Sequence, residues 1–498
     1  MNKWLQSLFL VFAAGLVLQS CGKPPAPGDG LSIGVGLEPP SLDPTFGAAA
    51  ATDEIVYGNV FEGLTRIGPD GKVYPALAKS WRVDKTGLVY DFTLRSGVRF
   101  HDGTIFDAND VKFSLERARS PQSTNAQKSL FAMIDQIIVL APDHVRIILS
   151  RHTADFAYNM AWGDAVIVAP ESAAQNAAHP IGTGPFRFLR WQKGTSIFLQ
   201  KNPDYWGKPA LLDWVTFKIV PDSAASYAAL MAGDIDGIPN FPAPELLRQF
   251  EKDDRFNIVI GETQGETILG INNARPPFDN ILVRRALSHA IDRDAVITGA
   301  MFGHGTPIGS FFPPTDPAYI NLLGMSAYDP DLARALLSQA GYPQGFKTII
   351  KIPPPYYARR GGEIIAAQLR AVGIDAKIQY MEWAQWLDQV LGNKNYDLTI
   401  VSHTEPRDIK FFARPDNYFG YHNQKFNALM DAIDLAENAS ERDEYYQQAQ
   451  RILAEDAASG FLFELPKIGV WRTYVTGYWK NSPIQATDLT SVRVEKPK

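Results

Sequence analysis

Pro75 to Arg117 reads PALAKSWRVDKTGLVYDFTLRSGVRFHDGTIFDANDVKFSLER, and this stretch predicts two strands, their turns and a helix. Trp81 and Val83 lead into the turn Asp84-Lys85-Thr86-Gly87. Tyr90, Phe92 and Leu94 then alternate with polar residues, the two-residue period of a strand with one face buried. Ser96-Gly97 breaks that run, and Phe100-His101-Asp102-Gly103 makes another tight turn. Asp107 or Asn109 can cap a helix with Asp110 in its first turn and Val111, Phe113, Leu115 and Ala118 on its inner face.

The order of these residues resembles the signature of the large solute-binding proteins that serve peptide and nickel importers of the ABC type, the family 5 extracellular solute-binding proteins. The family pattern runs from P-x-L-A-x-S-W through Y-x-F-x-L-R-x-G-V-x-F-H-D-G to A-x-D-V-x-F-S. Pro75-Ala76-Leu77-Ala78 to Asp110-Val111-Lys112-Phe113-Ser114 matches nearly every element. Ser41-Leu42-Asp43-Pro44, Gly182-Thr183-Gly184-Pro185-Phe186 and Asn202-Pro203-Asp204-Tyr205-Trp206 extend the likeness.

The resemblance implies an α/β, two-lobed periplasmic-binding-protein fold of the class II type with an additional domain. That makes three domains, with a ligand cleft between the lobes. Domain I is then discontinuous (31–54, 180–264 and 475–498), domain II spans 55–179 and domain III spans 265–474. Length agrees with this division, because 498 residues exceed what one compact core organises. Within domain III, the strand at 349–352, a helix at 363–371 and the strand at 376–381 alternate as βαβ units do, which predicts a mainly parallel sheet. Helices are also expected at about 425–436 and 440–456.

The N-terminus reads as a processing segment. Lys3 precedes an apolar core from Leu5 to Leu18, which predicts a signal peptide over residues 1–20. Leu18-Gln19-Ser20-Cys21 resembles a bacterial lipobox, so Cys21, the only cysteine in the chain, is the expected lipidation site. A lone cysteine also excludes an intramolecular disulfide. Residues 21–30 are rich in Pro and Gly and read as a lipidated tether. No later run is apolar enough to span a bilayer. The expected location is therefore periplasmic or at the cell surface, with the membrane engaged only through the lipid on Cys21.

Composition narrows the function classes. Hydrophobic residues make up 45% of the chain and the formal charge is −6, with acidic and basic residues interspersed. Nucleic-acid binding needs clustered Lys and Arg, which the chain lacks. The eight His residues show no H-E-x-x-H spacing, and no G-x-S-x-G elbow is present. No enzyme, cofactor or metal site is expected, and His101 in its F-H-D-G turn reads as structural.

A ligand cleft needs flat surfaces for the ligand body and a few placed charges for its ends. Tyr357, Arg359 and Arg360 lie between a strand and the start of a helix, where a guanidinium can grip a carboxylate or phosphate through two hydrogen bonds. Two solvated arginines on a loop is the alternative. Trp383 follows another strand. The resemblance implies that Trp383 faces ligand and that Trp386 belongs to the core.

The stretch Asn395 to Asp408, NYDLTIVSHTEPRD, carries the main departure from the family pattern. Peptide-binding members have a W-x-x-D segment here, whose Asp holds the peptide α-ammonium group. In this chain His403 stands at the Trp position and no acid falls in the matching register. Glu405 and Asp408 lie on either side of that register, and Ser402, His403 and Arg407 complete the candidate set. The resemblance also implies ligand or hinge contacts for Phe46, within Thr45 to Ala49, and for Tyr478.

The expected function is an extracytoplasmic solute-binding lipoprotein. It captures short peptides by lobe closure, delivers them to the transmembrane subunits of an ABC permease and acts as a monomer. The alternatives are a non-peptide ligand on the same scaffold (opine-like, sugar-phosphate or a metal chelate near His403 and His422), or a sensory or chaperone-like periplasmic protein.

Overall fold

The computed structural model describes residues 29–47, 49–153, 155–405, 407–436 and 439–495. The signal peptide, Cys21 and most of the tether lie outside them. Among the described residues two large sheets organise two lobes. The first is seven-stranded, in the order Phe256–Gly261, Lys467–Arg472, Gly237–Ile238, Gly30–Val35, Trp214–Ile219, Ser196–Lys201, Phe186–Gln192. A four-stranded antiparallel sheet, built from Ala78–Val83, Val89–Leu94, His144–Leu149 and Ile134–Ala141, belongs to the same lobe. The second lobe holds a six-stranded sheet in the order Thr306–Pro307, Ser459–Glu464, Glu266–Ile271, Leu398–His403, Phe346–Ile352, Ile374–Tyr380.

That six-stranded sheet is mixed, which corrects the expectation of a mainly parallel one. Only Phe346–Ile352 runs parallel to its neighbours, Ile374–Tyr380 and Leu398–His403. Glu266–Ile271 pairs antiparallel with both strands beside it. It enters the sheet directly from the first lobe, without the helical crossover that would align it with the βαβ strands.

Two short crossings join the lobes. Residues 262–265 connect Phe256–Gly261 to Glu266–Ile271, and residues 465–466 connect Ser459–Glu464 back to Lys467–Arg472. Lys467–Arg472 pairs in register with Phe256–Gly261, so its place is in the first lobe. On that pairing we propose that the C-terminal return to domain I begins at Lys467 rather than at 475.

The helix expected from Glu363 starts a full two turns earlier, at Tyr356, and runs to Ala371. Pro355 supplies the extended residue before it, so Arg359 and Arg360 lie inside the helix and not ahead of it. The helix expected from 107 or 109 begins as anticipated. Asp107 is its N-cap, accepting from the Asn109 amide, while Asp110 reaches back to the Asp107 amide in a reciprocal capping box.

Within the first lobe, the sequence motifs meet one another. His101 donates its backbone N–H to the Gly182 carbonyl at 2.9 Å. Its ring accepts the Gly182 N–H at Nδ1 (3.3 Å) and lies 3.0 Å from the Gly184 carbonyl at Nε2. The two partners require a neutral ring protonated at Nε2, and burial pushes the imidazole pKa down to about 4. Gly182 and Gly184 are glycines for lack of space: a Cβ would sit 2.0 Å from the Val60 carbonyl oxygen and 2.4 Å from that of Asn59.

Glu62 is buried beneath this junction. Its carboxylate accepts from Thr183 Oγ1 (2.7 Å), Tyr205 Oη (2.8 Å) and Trp206 Nε1 (2.8 Å). Replacing Glu62 with Ala would strand three donors in the interior, each costing about 1–3 kcal/mol if left unpaired. The expected outcome is a loss of at least about 2 kcal/mol in urea unfolding, with Glu62→Gln retaining part of it.

Candidate functional site

The site is assembled from loops that the scaffold motifs hold still. Asp43, in the Leu42-Asp43-Pro44 turn, accepts from the Thr45 amide (2.9 Å) and hydroxyl (2.6 Å), closing a local turn. Its other oxygen receives Arg117 at 3.0 Å, from the last turn of the capped helix. The opening stretch of sequence thus ends on a contact with the pocket. Ser114, one turn earlier, exchanges hydrogen bonds with the Val168 backbone and so anchors the segment after Asp164.

The helix Ala50–Val56 carries Asp53 in its first turn, and the short 3-10 turn Gly163–Ala165 carries Asp164. Asn125 Nδ2 holds the Asp164 carbonyl at 2.9 Å. From the second lobe Glu405 arrives on the loop between Leu398–His403 and the 3-10 helix Asp408–Ala413. Asp43, Phe46, Asp53, Asp164 and Glu405 line one pocket, so both lobes contribute to it.

The pocket lining is predominantly acidic. Burial, with the Glu405 charge beside it, pushes the Asp164 carboxyl up to about 8. Burial and the neighbouring Asp164 hold Asp53 well above the usual carboxylate range. Glu405 is raised by burial and by Asp408. Among the described residues, none of these three carboxyls forms a salt bridge, and Asp53 Oδ1 is buried without a hydrogen-bond partner. Three buried carboxyls thus share a small space with no salt bridge among the described residues, and Arg414 is the cation whose charge reaches Asp164 and Glu405.

The other candidates divide into groups. His403 is enclosed: Nδ1 lies 2.8 Å from Asp408 Oδ2 and Nε2 2.8 Å from the Tyr418 hydroxyl, with the Phe311, Phe411 and Phe419 rings around it. Both nitrogens are engaged within the lobe, which leaves none to hold a metal chelate, and His422 lies exposed on the surface. Asp408 is buried against His403 and so braces the loop on which Glu405 sits. Arg407 is paired with Asp316 at 2.9 Å and lies over the Tyr446 ring.

The Ser402 amide donates to the Tyr357 hydroxyl at 3.0 Å, tying strand to helix. Arg359 is exposed over the Tyr380 ring, and Arg360 makes a two-pronged bond to Glu245 of the other lobe. Trp383 stacks on the buried Trp386, rings nearly parallel at 5.2 Å. Tyr478 stacks at 4.6 Å on Trp471 in the core of the first lobe. Of the residues read from sequence, then, Phe46 and Glu405 share the pocket.

Asp53 and Asp164 were not anticipated. Asp53 reads in sequence as an ordinary first-turn acid favoured by the helix dipole, and Asp164 as a turn residue. Only their convergence distinguishes them.

The direction of the Asp164 shift makes a pH prediction. Between about pH 4 and about 8 the folded protein keeps a proton that the unfolded chain has released, so stability falls as pH rises through that window. Denaturant unfolding of ligand-free protein at several pH values should show this decline, and Asp164→Asn should make it shallower.

Comparisons with known proteins agree with this architecture. A family model for bacterial extracellular solute-binding proteins, family 5, matches residues 72–423. The glutathione-binding protein GsiB of Pectobacterium atrosepticum is 32% identical over 396 residues, covering 78% of this chain and 76% of that protein. The periplasmic binding protein DppA from Helicobacter pylori, solved with the peptide STSA, superposes with a TM-score of 0.87 at 29% identity, covering 94% of this chain and 99% of that one. AgaA from A. tumefaciens R10, solved with agropinic acid, gives 0.86 at 25% identity, covering 94% and 99%. The two-lobed fold and these matches place the chain in family 5 of the bacterial extracellular solute-binding proteins.

Proposed function

We propose that this chain is the receptor of an ABC importer for short peptides, bound through their free amino group. Glu405 is the amine anchor. The observation that carries this reading is the approach of Glu405, from one lobe, to Asp53 and Asp164 of the other, with no salt bridge to any of them among the described residues. An ammonium group placed between them is held by both lobes at once, so binding and closure reinforce each other. The ligand passes unchanged to the transmembrane subunits of the permease.

Glu405 is favoured over Asp408 because Asp408 is already engaged by His403, whereas Glu405 faces the pocket. The peptide-bound DppA relative supports the ligand class. Lipidation of Cys21 would hold the protein at the membrane, with the Pro- and Gly-rich tether giving it reach.

A second reading keeps the amine anchor or the acidic pocket but replaces the peptide with an opine-like solute. The displaced acid in the His403 to Asp408 loop favours it, as does the likeness to AgaA with agropinic acid.

Calorimetry on ligand-stripped protein separates the readings. Free-amine dipeptides should bind, and N-acetylation or Glu405→Gln should each weaken binding by about tenfold or more. Asp408→Asn should weaken it less. Unchanged affinity in Glu405→Gln would overturn the anchor, and binding of agropinic acid in place of dipeptides would select the second reading.

A further inference from the structure

Polar contacts bridge the lobes at four places, three of them away from the pocket and one, Arg414 to Gln127, beside it. Arg442 of the second lobe donates to Asp155 of the first at 3.2 Å, with both side chains largely buried. Asp434 of the second lobe is approached from the first by the Thr153 hydroxyl (3.4 Å) and Arg151 (3.9 Å), while its carbonyl lies 2.6 Å from His152 Nδ1. Lys410, from its own lobe, lies 2.5 Å from the same carboxylate. Arg414 donates to Gln127 at 2.6 Å, and Arg360 grips Glu245. None of Asp155, Arg442, Asp434, Glu245 or Arg360 lines the pocket.

We propose that these contacts form a latch that holds the cleft shut without ligand, and that Asp155, Arg442 and Asp434 are positioning residues that set affinity by setting the closed population. The geometry favours this over incidental surface pairing. Arg442 and Asp155 have only 17% and 12% of their side chains exposed. An ion pair this shielded escapes most of the screening that makes exposed pairs weak. Asp434 keeps Lys410 of its own lobe in either state, and its cross-lobe cation Arg151 is 55% exposed and adds little. Opening the lobes would separate Arg442 from Asp155, and Asp434 from Thr153 and His152, so those bonds count toward the closed state only. Any ligand for which only the closed state is competent then binds in proportion to that state's population.

The two crossings at 262–265 and 465–466 are short enough to act as a hinge, and the latch residues lie on other segments. Arg360 fits this role as well: a residue whose sequence position suggests ligand contact is committed to Glu245 across the lobe boundary.

The test uses the full-length soluble protein, stripped of ligand by unfolding and refolding, with native mass spectrometry confirming the bare polypeptide mass. Small-angle scattering at low salt should match the closed structure. Raising NaCl to about 1 M should leave the profile nearly unchanged, because pairs this shielded are screened little. Asp155→Asn should shift the profile to a larger radius of gyration, and Asp434→Asn should shift it less, with circular dichroism unchanged. Dipeptide dissociation should accelerate in both variants more than association slows.

Arg442→Gln, on the opposite lobe from Asp155, provides an independent variant if Asp434→Asn does not fold. The double variant Asp155→Asn/Arg442→Gln should open the protein no further than either single change, as partners in one contact require. A ligand-free profile that is the same in the unmodified protein and in the variants, whether compact or expanded, would overturn the latch.

Discussion

The carboxylate of Glu62 is the interaction on which the first lobe depends. It is buried, and burial raises its pKa, yet three donors from distant segments converge on it: Thr183, Tyr205 and Trp206. A carboxylate enclosed this way is tolerable only while its donors stay in place, so each segment constrains the others. Arg95 lies over the Trp206 ring at 4.4 Å and donates to the Ala76 carbonyl, which carries the same network into the four-stranded sheet. His101, held neutral between Gly182 and Gly184, completes the junction. Motifs far apart in the chain thus form one structural unit.

Rigidity there is what allows a pocket to be built on loops. The capped helix that begins at Asp107 ends with Arg117 holding Asp43, and its Ser114 secures the backbone after Asp164. The second lobe presents Glu405 on a loop braced by the Asp408–His403 bond inside an aromatic cluster. Arg117 thus fixes Asp43, whereas Asp53, Asp164 and Glu405 have no salt bridge among the described residues. Their burial and mutual repulsion cost stability.

Much of the scaffold was legible from residue order. The alternation of Tyr90, Phe92 and Leu94 predicted a strand with buried-facing residues, and those three are buried. Asp107 capped its helix as its residue type suggests. The mixed pairing of the six-stranded sheet was not legible, because strand direction depends on how the chain enters the sheet, and Glu266–Ile271 enters from the hinge. The early start of the helix at Tyr356 was missed because Gly361 and Gly362 interrupt a helical pattern by propensity. In the fold both are buried, and a Cβ on Gly362 would meet Ile352 at 2.1 Å, so packing outweighs propensity.

For the site, residue types alone pointed to His403, Arg359, Arg360, Arg407 and Tyr478 as readily as to Glu405. Their partners decide between them. Asp316 takes Arg407 and Glu245 takes Arg360, both partners remote in the chain, while Tyr478 stacks on the nearby Trp471. By itself the sequence determined the local elements, because turns, caps and alternating strands leave local patterns, and the family entered through the resemblance of its residue order to a signature. The tertiary structure alone decided which charged side chains are spent on one another and which are left facing the pocket. Pairing is a long-range property: Asp53, Asp164 and Glu405 share one field only once two lobes bring them together.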